Sequence, residues 1–390
     1  MSNNLTELNT EGQTKSRLHG KKFVILLVVA VVVISVLGLL LFHDEFNLDG
    51  LRRWSKYLTV KKDENFGCFS FDSHNSNCYE SFSDGLAVAS IGGLSVYDKN
   101  GMEKYVLLQQ IDLPQLLVSS KMAMAYDVGG HNLVALRDGA GEVLRLSETH
   151  PILDADMSEE GAICLSSSTS GYKSVLSVYN EEQDLVYRWL SSSAYYPLCA
   201  ISADGRTLAA VAVGQMEGEF ESSICLFQTN SEEIKNKITL GGELIYDLLF
   251  TKEDELCAIG EKSVQYYTTD GKLIGKYVYP DAYLKDFDFG GQGFLTISTN
   301  MYRAGNRYSL MTVDTRGREI ATCYLGQEIL DLSACGRYIA VLTQGKLTVY
   351  TQSLSVYYET TDVMNTTSVV MREDGTVMMI GGGQGRLYVP

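Results

Sequence analysis

From residue 78 to the C-terminus, short apolar runs alternate with polar turns in one phrase that returns eight times. An apolar run comes first, a tight turn of acidic residues and glycine follows, and a second apolar run answers it. A third run usually ends in Val-Tyr or its equivalent. The clearest copies are Ile201-Ser202-Ala203-Asp204-Gly205-Arg206-Thr207-Leu208-Ala209 and Leu332-Ser333-Ala334-Cys335-Gly336-Arg337-Tyr338-Ile339-Ala340. Weaker ones occupy residues 157–164, 250–257 and 371–378. Such runs, bounded by Asp, Asn and Gly, read as strands. A period of about 40 residues built only from them predicts an all-β fold, a β-propeller, with one four-stranded blade per unit.

The first strands begin near Cys78, Gln115, Ile152, Tyr196, Ile245, Asp286, Ile329 and Thr367. That spacing gives eight blades, or seven if one unit is misread. The last unit has room for three strands, over 367–372, 376–380 and 386–389. Residues 66–71 are therefore expected to supply its outer strand and close the ring, which hides edges that an open sheet would expose.

Lettering the strands of a blade a to d, the a–b and c–d turns lie on one face of a propeller, the b–c and d–a connections on the other. Here the a–b turns (Asp204-Gly205, Asp374-Gly375) and c–d turns (Asp270-Gly271) carry tight-hairpin chemistry and little else. The b–c connections are expected to be longer in three blades, around 169–173, 215–223 and 300–307. Loops that outgrow a minimal turn are where recognition is usually placed.

Residues 23–42 form an uncharged apolar run of twenty, long enough at about 1.5 Å per residue to cross a bilayer as a helix. The run exceeds the apolar core of a cleaved leader and no small-x-small site follows, so an uncleaved anchor is expected. Lys15, Arg17, Lys21 and Lys22 precede the run and Asp44 and Glu45 follow it. The positive-inside rule then keeps the tail, 1–22, in the cytoplasm and exports the rest. In the juxtamembrane linker, 43–62, Leu48, Leu51, Trp54, Tyr57 and Leu58 recur at helical spacing, with Arg52, Arg53 and Lys56 between them. This pattern predicts a short amphipathic helix, either at the bilayer surface or on the propeller's edge. The propeller itself is assigned to 63–390.

Net charge is −16 for the chain and −18 beyond residue 42, a surface that repels phosphates and argues against nucleic acid. Of eight cysteines, Cys164, Cys199, Cys225, Cys257 and Cys323 sit among apolar strand residues and read as small core side chains. Cys68 and Cys78, polar-flanked and close in sequence, are a possible pair in an oxidising compartment. The histidines His43, His74, His131 and His150 show no ligand spacing, and no calcium loop or Gly-x-Ser-x-Gly elbow occurs. No metal, cofactor or catalytic residue is assigned, and no enzyme is expected. A buried central channel holding clustered acids is the observation that would reopen that question. Tyr97, Tyr179, Tyr267 and Tyr350 each end a third strand, where the ring should pack between blades. The candidate partner-binding residues are those of the three b–c connections: Tyr172, Glu217, Glu219, Phe220, Tyr302, Arg303 and Arg307.

The Ser202-x-Asp204-Gly205-Arg206-x-Leu208-Ala209 phrase resembles the repeat of WD40-like and TolB-type propellers, without the Gly-His and Trp-Asp dipeptides of true WD40 repeats. One anchor, a Leu51-Arg52-Arg53-Trp54 segment and about eight blades are together similar to an uncharacterised family of membrane-anchored propellers from clostridia-like Gram-positive bacteria. That resemblance implies an envelope location and no catalytic residues. The expected function is protein binding or scaffolding at the cell envelope with an envelope or membrane protein partner. The alternative is sensing of a cell-wall glycan or small ligand.

Overall fold

The computed structural model describes residues 68–390 apart from Glu217, Gly218 and Ala282, with only the backbone of Met216 and Glu219 considered. The expected span at 23–42 and the expected helix within 43–62 lie outside the described residues. Among the described residues no helix is long and apolar enough to cross a membrane.

Eight four-stranded antiparallel sheets form the blades. Their innermost strands, a, are Cys78–Phe82, Pro114–Val118, Ile152–Met157, Tyr195–Ile201, Ile245–Phe250, Tyr283–Asp288, Ile329–Cys335 and Ser368–Met371. Every start lies within three residues of the position expected from the repeat. Each b strand is almost wholly buried because both its faces meet a neighbouring sheet, as in Gly85–Ser90 and Met122–Asp127. Alanines at these positions (Ala87, Ala89, Ala123, Ala125) let adjacent sheets approach closely. The core therefore consists of wedges between blades. Between blades 3 and 4, Cys164, Leu176 and Val178 meet Ile201, Leu208 and Phe227, with Trp189 edge-on to Tyr196 at 5.5 Å. Tyr97, Tyr179, Tyr267 and Tyr350 are buried at blade interfaces, as expected.

The acidic-glycine turns have a local cause. Gly205 adopts φ +66° and donates to the Ser202 carbonyl at 2.9 Å, while Asp204 Oδ1 accepts from the Arg206 N–H at 3.0 Å. Gly375 (φ +81°) and Asp374 repeat the arrangement with Arg372 and Thr376.

Closure occurs through the N-terminal strand. Cys68–Ser70 pairs antiparallel with Gln384–Tyr388, Cys68 opposite Arg386 and Ser70 opposite Gln384. Phe69 is buried between blades 8 and 1, edge-on to Tyr97 at 6.1 Å. Arg372 Nη2 reaches across to the Asp84 carbonyl at 2.8 Å, tying the a–b turns of the same two blades. Blade 8 is thus complete with four strands, and the chain enters it from the face of the a–b and c–d turns. Cys68 and Cys78 are both thiols, the first on the outer strand of blade 8, the second on the innermost strand of blade 1.

The expected long b–c loops are only partly loops. In blade 3 the strands run to Thr169 and resume at Tyr172, leaving a two-residue turn with Gly171 at φ +85°. In blade 4 Thr207–Met216 pairs with Glu219–Gln228 along their whole length, Gln215 opposite Phe220. The extra residues there extend the ladder, because continued pairing satisfies backbone groups that a loop would leave to solvent. Of these three connections only that of blade 6, among the described residues, is a true loop, residues 301–307.

Candidate interaction face

The two ends of the blades differ sharply. The a–b and c–d turns are dominated by polar and charged residues and glycine, and Met102 is their one exposed large apolar side chain among the described residues. On the b–c and d–a side stand Tyr172, Tyr195, Phe220, Tyr246, Tyr283 and Tyr302, each at least 41% exposed. They account for six of the seven exposed large aromatic side chains described. The seventh, Tyr324, lies on the outer strand Glu319–Leu325, one residue from its end on the same side. All seven belong to blades 3 to 6, so the aromatic surface is an arc over half the ring.

Each expected site residue has a defined place. Tyr172 opens strand c of blade 3 opposite Thr169. Its neighbour Lys173 lies over the Tyr195 ring at 5.3 Å and donates to the Ser193 carbonyl at 2.8 Å, linking the blade 3 hairpin to blade 4. Phe220 projects from the long hairpin of blade 4. Glu217 and the side chain of Glu219 lie outside the description. In blade 6, buried Asn300 organises the loop: its Oδ1 accepts the Tyr302 N–H and its Nδ2 donates to the Gly305 carbonyl, both at 2.9 Å. Lys285 Nζ holds the Arg303 carbonyl at 2.9 Å, and Arg307 Nη1 lies 3.7 Å from Met301 Sδ. Tyr172 and Phe220 therefore occupy adjacent blades, while Tyr302, Arg303 and Arg307 lie two blades further on. Tyr246 of blade 5 fills the gap between them.

The sequence reading placed the innermost strands but missed the bulges within them and the carboxylates those bulges carry. A bulge interrupts strand a at one repeated place, after Ile152, Ile245, Leu284 and Ile329. The inserted residues are Leu153, Tyr246, Lys285 and Leu330, and each is followed by an aspartate: Asp154, Asp247, Asp286 and Asp331. A bulge sets two residues against one on the partner strand and re-aims their side chains. The visible signal was an Asp repeated at one position of four first strands, followed two residues later by Asp156, Asp288 or Ser333 in three of them.

These carboxylates do two jobs. Asp154 Oδ2 accepts the Cys199 N–H at 2.8 Å, Asp156 Oδ2 that of Ile201 at 2.9 Å, Asp288 Oδ2 that of Ala334 at 2.7 Å and Asp331 Oδ2 that of Val369 at 2.6 Å. Each bond joins one innermost strand to the next and satisfies an edge N–H that the sheet itself leaves unpaired. Among the described residues Asp247 and Asp286, in contrast, accept only the N–H groups of their own neighbours Leu248 and Phe287. Glu80 on blade 1 is open to the channel lumen yet surrounded by protein.

Burial, reinforced by neighbouring carboxylates, raises the pKa of these groups. Glu80 is pushed up to about 8 by burial, then by Asp288 and Asp331. Asp247 and Asp286 rise to about 7. Asp154, Asp156 and Asp288, whose charged forms are stabilised by the N–H groups they accept, rise only to about 6. Among the described residues, no group of three or more His, Cys, Asp and Glu side chains is arranged to hold a metal ion.

Eight closed blades with an N-terminal outer strand define the molecule as an eight-bladed β-propeller. The chain belongs to the family of unknown function DUF5711, whose model matches residues 53–384. Among solved structures it is similar to the C-terminal WD40 domain of Sif2, at TM-score 0.58 and 11% identity over 82% of this chain and 97% of that one. The Dos1 propeller matches at TM-score 0.55 and 13% identity, over 82% of this chain and 94% of that one. At such identities the likeness is one of fold. No match was found among the curated proteins.

Proposed function

We propose that this chain is a protein-binding or scaffolding module of the cell envelope, anchored by residues 23–42 with its propeller outside the cytoplasm. The observation that carries the binding face is the aromatic arc over blades 3 to 6, set against polar turns at the opposite end. Exposed aromatic side chains are the residue class that dominates protein interfaces, since each supplies a large contact area at low entropic cost.

Four of the channel acids are read as architecture rather than as a reaction centre. Asp154, Asp156, Asp288 and Asp331 are engaged as acceptors of backbone N–H groups between blades. A general acid or base must instead be free to meet a substrate proton.

The test is crosslinking of the full-length protein in its native membrane, beside a Phe220→Ala/Tyr302→Ala variant. A partner captured by the wild type and lost by the variant supports the arc as the binding face. A partner retained by the variant refutes it. Retained wall glycan in place of a protein transfers the arc to carbohydrate stacking.

A further inference from the structure

Two sulfurs meet inside the wedge between blades 3 and 4. Cys164 stands on strand b of blade 3, Cys199 on strand a of blade 4, and their Sγ atoms lie 3.5 Å apart. The inter-blade carboxylates fix this meeting. Cys164 lies opposite Asp156 in its own sheet, and Asp156 Oδ2 accepts the Ile201 N–H of blade 4 at 2.9 Å. Asp154 Oδ2 accepts the Cys199 N–H itself at 2.8 Å. The strands that carry the two thiols are therefore clamped together at neighbouring positions. Cys225 lines the same wedge but is out of reach. It pairs with Ala210, which pairs with Cys199, so two strand spacings, about 9–10 Å, part Cys225 from Cys199. A disulfide needs Cα atoms within about 7 Å of each other.

We propose that Cys164 and Cys199 are a modification site: in an oxidising environment they close a disulfide that staples blade 3 to blade 4. The inference stands on the packing of this wedge and is independent of the binding face. To form the bond the sulfurs approach by about 1.5 Å, to a length of about 2.05 Å, through rotation of two short side chains. The oxidant is an external disulfide. One cysteine thiolate attacks it and releases a thiol, leaving a mixed disulfide; the second thiolate then displaces the remaining half. One S–S bond breaks and one forms, and the two electrons and two protons lost by the cysteines end on the two released thiols. Burial raises the pKa of both cysteines and keeps them unreactive while the ring is closed. Exchange therefore begins in transient openings of the wedge, and reclosure brings the second sulfur onto the first. The finished bond joins positions 35 apart in sequence and removes that loop's freedom from the unfolded chain.

The test starts from the reduced full-length protein in detergent, incubated with glutathione disulfide a few degrees below its melting temperature. Remaining thiols are alkylated, and the digest is mapped by mass spectrometry. The expected product is a peptide pair joined through Cys164 and Cys199 and separated by dithiothreitol. Once the reagent is removed, the oxidised protein should melt about 5 °C above the reduced one. Cys199→Ala should abolish that gain and leave Cys164 unlinked to Cys225. No Cys164–Cys199 peptide from the wild type would overturn the proposal. So would Cys164 joined as often to Cys225, which would place the pairing in the unfolded chain. A melting gain absent from the wild type, or surviving in Cys199→Ala, would equally remove the staple.

Discussion

Asp156, on the innermost strand of blade 3, accepts the backbone N–H of Ile201 on the innermost strand of blade 4 at 2.9 Å. The same position links Asp288 to Ala334 at 2.7 Å, and Ser333 through its hydroxyl oxygen to Met371 at 2.9 Å. Serine in the third place shows that the position needs an acceptor rather than a charge. Asp156→Asn should therefore unfold close to the wild-type midpoint in urea. Asp156→Leu, which strands the Ile201 N–H, should lose about 1–3 kcal/mol. Equal losses would mean that the charge matters and the bond does not.

Closure of the ring rests on a three-residue strand with one buried anchor. Phe69→Ala should cost about 3–5 kcal/mol, because the phenyl ring fills the wedge between blades 8 and 1. Thermal denaturation reads the loss. Size-exclusion chromatography should also show association, since a loosened outer strand exposes the edge of Gln384–Tyr388.

The channel carboxylates set the sign of the pH dependence. Burial raises the folded-state pKa of Glu80 to about 8 and those of Asp247 and Asp286 to about 7, above the ordinary carboxylate range. Their contribution to stability is complete below the unfolded pKa and is lost as pH rises through the folded one. Partly exposed turn carboxylates such as Asp98 and Asp138 are shifted downward by hydrogen bonds and act oppositely, only at lower pH. The melting temperature should therefore fall by on the order of 5 °C between about pH 5.5 and about pH 8.5. Asp247→Asn/Asp286→Asn should flatten that slope and raise the melting temperature at the alkaline end. A steeper slope in the double variant would refute the assignment.

Four thiols should resist modification until the ring opens. Cys164 and Cys199 lie 3.5 Å apart between blades 3 and 4, and with Cys225 and Cys257 they are buried, their pKa values raised first by burial. An Ellman titration should count no more than four reactive thiols in the native protein and eight after denaturation. A lower count in denaturant would reveal a disulfide.

Phe220→Ala and Tyr302→Ala should leave stability within about 0.5 kcal/mol, as expected for exposed side chains. Partner capture is where they should be felt. A large fall in melting temperature would reassign either residue to the scaffold.

Much of this architecture was legible along the chain. The repeat marked all eight first strands, and the three-stranded last unit called for an outer strand that Cys68–Ser70 supplies. Tyr97, Tyr179, Tyr267 and Tyr350 were placed between blades by their shared position. The candidate surface was half legible: length marked the hairpins of blades 3, 4 and 6, but Tyr246 stood unnoticed because it lies in an ordinary first strand. The two-residue turn at Gly171 and the ladder continuing to Met216 and Glu219 were misjudged as loops, since a polar extension of a strand reads like a loop until its partner is known.

Strand periodicity and turn chemistry are local properties, each set by a few adjacent residues, and the sequence alone determined them: eight blades, their order and their closure. The carboxylate network was decided elsewhere. Asp156 meets Ile201, and Asp331 meets Val369, across roughly one repeat of intervening chain. Only the packing of one blade against the next determines which aspartate finds an edge N–H. Asp247 and Asp286 find none, and that difference between chemically identical side chains exists only in the assembled ring.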